Sequence, residues 1–168
     1  MKSAQEDEYL EFVAARTKTL YRSAYAFAAG DTHLAEDLVQ ETLSRVYVHW
    51  KRVAGADNPA AYAQTVLVRT FLSLRRRRST SERPIGNLPD SPESGPDAAL
   101  RITLLDALGQ LPPRDRAVLL LRYWEGHSIE ETAQMLRLSS SAVRSQGTRA
   151  LGRLRALLGD SLSDLIPQ

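Results

Sequence analysis

Apolar positions recur at helical spacing through most of the chain, and no alternating stretch of useful length predicts a strand. Tyr9 to Ala29 reads as a first helix, followed at Gly30-Asp31-Thr32 by a break with a cap. A second runs from about Leu34 to Trp50, with Val39, Leu43, Val46 and Trp50 on its core side. Asn58-Pro59 opens a third, with proline near the first turn, where its missing amide costs little. That segment, AAYAQTVLVRTFLSLRRRR, is apolar almost all round until its arginines, which predicts a helix mostly enclosed in a bundle. Farther on, Ala98 to Gln110 predicts a helix stopped at Leu111-Pro112. Pro112-Pro113 opens RDRAVLLLRYW, which ends at Glu125-Gly126, and SIEETAQML follows with Ser128 and Glu131 at capping-box spacing. A short turn, Arg137-Leu138-Ser139, leads into a last helix. On its wheel Val143, Gly147, Ala150, Leu151, Leu154 and Leu158 share one side, and Ser141, Arg144, Ser145, Thr148 and Arg155 the other.

Between the two groups of helices lies STSERPIGNLPDSPESGPD, Ser79 to Asp97, with four prolines, four serines and only Ile85 and Leu88 as large apolar residues. Such a stretch buries too little surface to offset its ordering entropy, so it predicts a flexible tether. The expected fold class is all-α: two small helical domains, 5–78 and 98–160, joined by a Pro/Ser-rich linker at 79–97, the second containing a helix-turn-helix. A length of 168 residues accommodates two small cores.

A net charge of +2 argues for no particular partner, but its distribution does. Asp31 to Glu41 holds four acids and no Lys or Arg, whereas Arg137 to Leu158 holds five arginines and no acid; Arg75 to Arg78 forms a second basic block. A chain that separates its signs in this way presents different faces to different partners. The absence of cysteine excludes a disulfide framework, a thiolate metal site and a thiol nucleophile. The start, MKSAQEDEYLEF, lacks the apolar run of a signal peptide, and no stretch approaches the ~20 apolar residues of a membrane span. A soluble cytoplasmic protein without membrane insertion is expected.

Two short helices joined by a tight turn, the second amphipathic and arginine-bearing, describe a helix-turn-helix. One α-helix fits the major groove, its N-terminal half reaches base edges, and its first-turn amides hold a phosphate. Ser139, Ser140 and Ser141 supply capping and phosphate-facing hydroxyls, and Arg144, one turn in, suits a bidentate contact to guanine. Ala133 lets the two helices approach, with Ile129, Leu136, Leu138 and Val143 between them. The pattern alone fits an ordinary helical hairpin equally well; the acid-free arginine face tips the balance toward DNA.

At this length the motif becomes recognisable. LPPRDRAVLLLRYWEGHSIEETAQMLRLSSSAVRSQGTRALGRLR resembles the −35-binding domain of bacterial extracytoplasmic-function sigma factors, in particular the actinobacterial branch called the SigE family. AEDLVQETLSRVYVHW resembles that family's first conserved domain, and NPAAYAQTVLVRTFLSLRRRR its promoter-melting helix. The resemblance spans nearly the whole chain, with two independent motifs in order. It implies a sigma factor that directs promoter-specific initiation by recognising −35 and −10 elements and melting the −10 region. By the same resemblance Ser140, Ser141, Arg144, Ser145, Thr148 and Arg149 read the −35 element. Asp57, Asn58, Arg69, Arg75 and Arg76 serve the −10 element and melting, and Asp37, Gln40 and Glu41 bind RNA polymerase. The implied partners are the polymerase core, through its β′ clamp helices and β flap, promoter DNA, and an anti-sigma factor as a further candidate. No cofactor or metal is implied.

Three residues depart from the family pattern: Arg137 stands where the turn usually has glycine, Gly147 where a bulky residue is common, and Arg69 where asparagine is. A left-handed arginine costs roughly 1 kcal/mol against glycine, and a mid-helix glycine ~1 kcal/mol against alanine. A dimeric helix-turn-helix regulator competes with this reading but leaves the Asp37/Gln40/Glu41 patch unexplained. An enzyme is not expected: His33, His49 and His127 have no metal-ligand spacing, and no phosphate loop or nucleophile elbow occurs.

Overall fold

The structure is a computed structural model that describes residues 2–78 and 96–159, with side chains from 3 to 74 and from 98 to 159. Among the described residues every regular element is helical. They divide into two compact units. Residues 79–95, most of the expected linker, lie outside the described residues; Pro96 and Asp97, expected in it, already belong to the first helix of the second unit.

The first unit consists of α1 (Lys2–Phe27), α2 (Thr32–Val48), the short α3 (Trp50–Ala54) and α4 (Pro59–Arg78). Its core is Leu20, Ala24 and Phe27 from α1, Leu34, Leu38, Val39 and Val46 from α2, Val53 from α3, and Ala63, Leu67, Val68 and Phe71 from α4. The rings of Phe27 and Phe71 meet at 5.5 Å between centroids. Each large side chain buried here contributes ~1.5–3 kcal/mol. Gln64 Nε2 of α4 donates to Ser23 Oγ of α1 at 2.9 Å. No position from 62 to 74 is exposed, in keeping with the all-round apolar pattern of α4.

Two of the boundaries that differ from the sequence expectation have a clear cause. The first helix begins at Lys2 rather than Tyr9, because MKSAQEDE is polar but contains no helix breaker. The second ends at Val48 rather than Trp50: His49 leaves helical geometry (φ −108°, ψ 27°) and its carbonyl receives the amides of Arg52 and Val53. Trp50 is therefore half-buried on α3 instead of lining the α2 core. It packs against Tyr9 and Phe12 of α1, with centroids at 5.6 and 5.3 Å, and Tyr9 donates its hydroxyl to the Leu43 carbonyl. Asn58 caps α4, its Oδ1 accepting the Ala61 amide at 3.1 Å, with Pro59 as the first helical residue.

The second unit consists of α5 (Pro96–Gln110), α6 (Pro113–Leu119), a π-helical turn (Leu120–Trp124), α7 (Ile129–Leu136) and α8 (Ser140–Leu158). Pro112, extended at φ −53° and ψ 145°, separates α5 from α6, and Pro113 starts α6. In the π turn the Glu125 amide reaches back five residues to the Leu120 carbonyl, and Tyr123 and Trp124 are left exposed. Leu105, Leu108, Leu111, Val118, Leu121, Met135, Leu136, Val143 and Ala150 form the core. Beside them lies a fully buried cation. The Arg116 guanidinium donates from Nε to the Leu108 carbonyl at 2.8 Å, and from Nη2 to those of Gly109 and Leu111 at 3.2 and 3.4 Å. It thereby closes the C-terminal end of α5, whose last carbonyls have no helical partner.

Candidate nucleic-acid interface

The junction of α7 and α8 is assembled by short-range chemistry. Ser128 Oγ accepts the Glu131 amide at 3.0 Å while Glu131 Oε1 accepts the Ser128 amide at 2.9 Å, completing the capping box read from the spacing. The Ser128 backbone amide first, and its hydroxyl second, hold the Glu131 carboxyl below the usual carboxylate range. At the other end of α7, Arg137 is left-handed (φ 57°, ψ 45°). The Leu138 amide then reaches the Ala133 carbonyl at 2.9 Å, a Schellman closure. The chain turns sharply there, and Ser139 Oγ caps α8 by accepting the Ala142 amide at 3.0 Å. Ala133 is buried where α7 and α8 meet.

On α8 the division of faces follows the wheel. Val143, Gly147, Ala150 and Leu158 are buried, whereas Ser141, Arg144, Ser145, Thr148, Arg149 and Arg155 are exposed. Ser140 is half-buried. Thr148 Oγ1 donates to the Arg144 carbonyl at 3.0 Å and Arg149 Nε to that of Ser145 at 3.4 Å, so both side chains lie along the helix. The structure thus brings Ser141, Arg144, Ser145, Thr148 and Arg149 onto one solvent-facing surface that begins at a helix N-terminus. Cations on that surface and amides at its start are complementary to a phosphate-lined groove.

The first unit carries the other expected residues. Asp37 and Gln40 are exposed on α2; Glu41 is half-buried and pairs with Arg45 at 2.9 Å, one turn on. The same face continues at helical spacing to Tyr47 and Val48, which are 50% and 73% exposed. They form an apolar pair seven and eight residues beyond Gln40 that the sequence expectation does not include. Asp57 and Asn58 lie exposed in the α3–α4 connection, where Asn58 already serves as a cap, and Arg69 is half-buried on α4. Arg75 and Arg76 are in the last turns of α4, and their side chains lie outside the described residues. Among the described residues no group of His, Asp or Glu has the arrangement of a metal site. No described helix is long and apolar enough to cross a membrane.

Residues 12–80 match the sigma-70 region 2 family and residues 101–154 the sigma-70 region 4 family. The RNA polymerase sigma-E factor of Streptomyces coelicolor is 38% identical over 150 residues, covering 88% of this chain and 84% of that protein. The ECF RNA polymerase sigma factor SigL of Mycobacterium tuberculosis is 35% identical over 136 residues, covering 77% of each. Among solved structures, the sigma factor RpoE of Bartonella quintana, in complex with the anti-sigma factor NepR, superposes with a TM-score of 0.71. That match covers 90% of this chain and 96% of the other at 23% identity, a likeness of fold. With both regions matched in order and relatives aligned over most of their length, the chain belongs to the extracytoplasmic-function sigma factors, regulatory proteins of promoter-specific transcription initiation rather than enzymes.

Proposed function

We propose that the two units divide the work of initiation. Residues 5–78 dock on the polymerase core and engage the −10 element, residues 98–160 read the −35 element, and residues 79–97 tether them. The observation that carries this reading is the pairing of two unlike faces on separate units. α2 offers Asp37, Gln40 and Glu41, then Tyr47 and Val48, whereas α8 offers an exposed arginine-bearing surface without an acid.

In this reading Arg144 contacts a base edge, with Ser145, Thr148 and Arg149 beside it and Ser140 and Ser141 at the phosphate. Asp37, Gln40 and Glu41 meet the β′ clamp helices, and the second unit meets the β flap. Asp57 and Asn58 lie toward unpaired −10 bases, while Arg69, Arg75 and Arg76 hold the DNA around the −10 element, giving affinity that is steeply salt-dependent. Asn58 can do so only with the part of its amide not committed to capping α4. An anti-sigma partner is in keeping with the complex of the Bartonella quintana relative. The protein acts in the cytoplasm without a cofactor.

Chromatin immunoprecipitation combined with transcript-start mapping tests the proposal. Bound sites are expected to share two elements at fixed spacing upstream of mapped starts. Binding to paired, inverted half-sites away from starts would contradict it and favour a dimeric regulator.

A further inference from the structure

Of the four arginines between Ser139 and Arg155, one does not serve the exposed surface alone. Arg153 Nη1 pairs with Oδ2 of Asp115, on α6, and the other carboxylate oxygen accepts Gln146 Nε2 at 3.1 Å. The Asp115 side chain is only 5% exposed. Its two donors are seven residues apart on α8, roughly 10 Å along the helix axis. One buried carboxylate therefore bridges two turns of α8, and either rotation or sliding of that helix on α6 breaks at least one contact.

The same interface has a gap in its side-chain packing. Where α8 crosses α6 the residue is Gly147, and a methyl group there would stand 3.6 Å from Val118 Cγ1. Helices are held in register by side-chain ridges seated in grooves; between Val143 and Ala150, both buried, α8 presents no side chain at 147, which leaves the apolar ridge interrupted there.

We propose that Asp115 is a positioning residue for promoter reading: by holding Gln146 and Arg153 together it supplies the register that a side chain at 147 would otherwise give, and so aims Arg144, Ser145 and Thr148 at the groove. The proposal rests on the reading of α8 as the −35 element's reader.

The test uses the full chain with polymerase core on promoters whose −35 positions are randomised, transcripts being counted by sequencing. Gln146→Ala and Arg153→Ala are chosen because neither empties the core. Each is expected to flatten the −35 base preference by about tenfold, on the scale of one lost base contact. The double variant is expected to do no worse than the more severe single one, since both act through one carboxylate. Adding Gly147→Ala to Arg153→Ala is expected to restore part of the preference, a rescue that a phosphate-contact role would not produce.

Unchanged preference in both variants overturns the proposal. So does a uniform, salt-sensitive loss confined to Arg153→Ala, the mark of a direct phosphate contact. If the wild-type protein shows no −35 preference at all, it is the reading of α8 that fails, and the proposal falls with it.

Discussion

Replacing Arg116 with methionine isolates one contribution to the second unit. Arg116 is 1% exposed, and its guanidinium serves three carbonyls at the end of α5. The Leu108 carbonyl keeps the Leu111 amide at 3.1 Å and Gly109 is half-buried, so the loss falls chiefly on the buried carbonyl of Leu111. A buried acceptor deprived of its donor costs ~1–3 kcal/mol. Methionine fills similar volume and removes a cation that was costly to desolvate, which favours the lower part of that range, ~1–2 kcal/mol. Amide hydrogen exchange on the full chain resolves the two units separately. Protection of the α5 and α6 amides is expected to fall roughly 5- to 30-fold, with α1, α2 and α4 unchanged. Arg116→Lys, which keeps the charge but not the fork, is expected to fall between. Wild-type protection in Arg116→Met would refute the assignment of stability to these hydrogen bonds.

Three other expectations are separate from it. Arg137→Gly is expected to stabilise α7–α8 by ~1 kcal/mol, because arginine there is held left-handed; denaturant melts would show it, and an unchanged or lower midpoint would contradict it. Gly147→Ala is expected to add ~1 kcal/mol through helix propensity, since the new methyl makes ordinary contact with Val118; a loss of stability in the same melts would mean the interface is tighter than it looks. Arg144→Ala, at an exposed position, is expected to weaken −35 recognition by ~1–3 kcal/mol and relax preference at one base pair; promoter-variant transcription reads this, and an unaltered base preference would reassign the residue.

What was legible in the sequence was mostly local. The Ser128/Glu131 capping box depends on residues three apart, and the two faces of α8 on periodicity alone, so both could be read without the fold. The left-handed turn at Arg137 was likewise visible as a tight connection, even with arginine in place of glycine. The break at His49 was missed because apolar periodicity runs through it to Trp50, and only the aromatic contacts with Tyr9 and Phe12 explain why the chain departs there. Nothing in RDRAV marks Asp115 and Arg116 as buried. Their burial depends on carbonyls of α5 and on donors of α8 as far away as Arg153, partners that no local pattern names. The pairing of Glu41 with Arg45 is legible at i,i+4 spacing, one turn beyond the acidic stretch.

The central claim is that α2 recruits polymerase while α8 reads DNA. Run-off transcription with purified core polymerase tests it most directly, on a promoter taken from the chromatin map, with wild type compared against Asp37→Lys plus Glu41→Lys. Both positions lie off the α2 core, and the new lysine beside Arg45 costs the helix only a few tenths of a kcal/mol, so the fold is expected to persist. Like charges facing a basic partner cost several kcal/mol. The account therefore expects specific transcripts with wild type and none with the double variant, which should also fail to co-elute with core. Failure of the wild type to direct initiation from any mapped promoter, or full activity in the double variant, would contradict it.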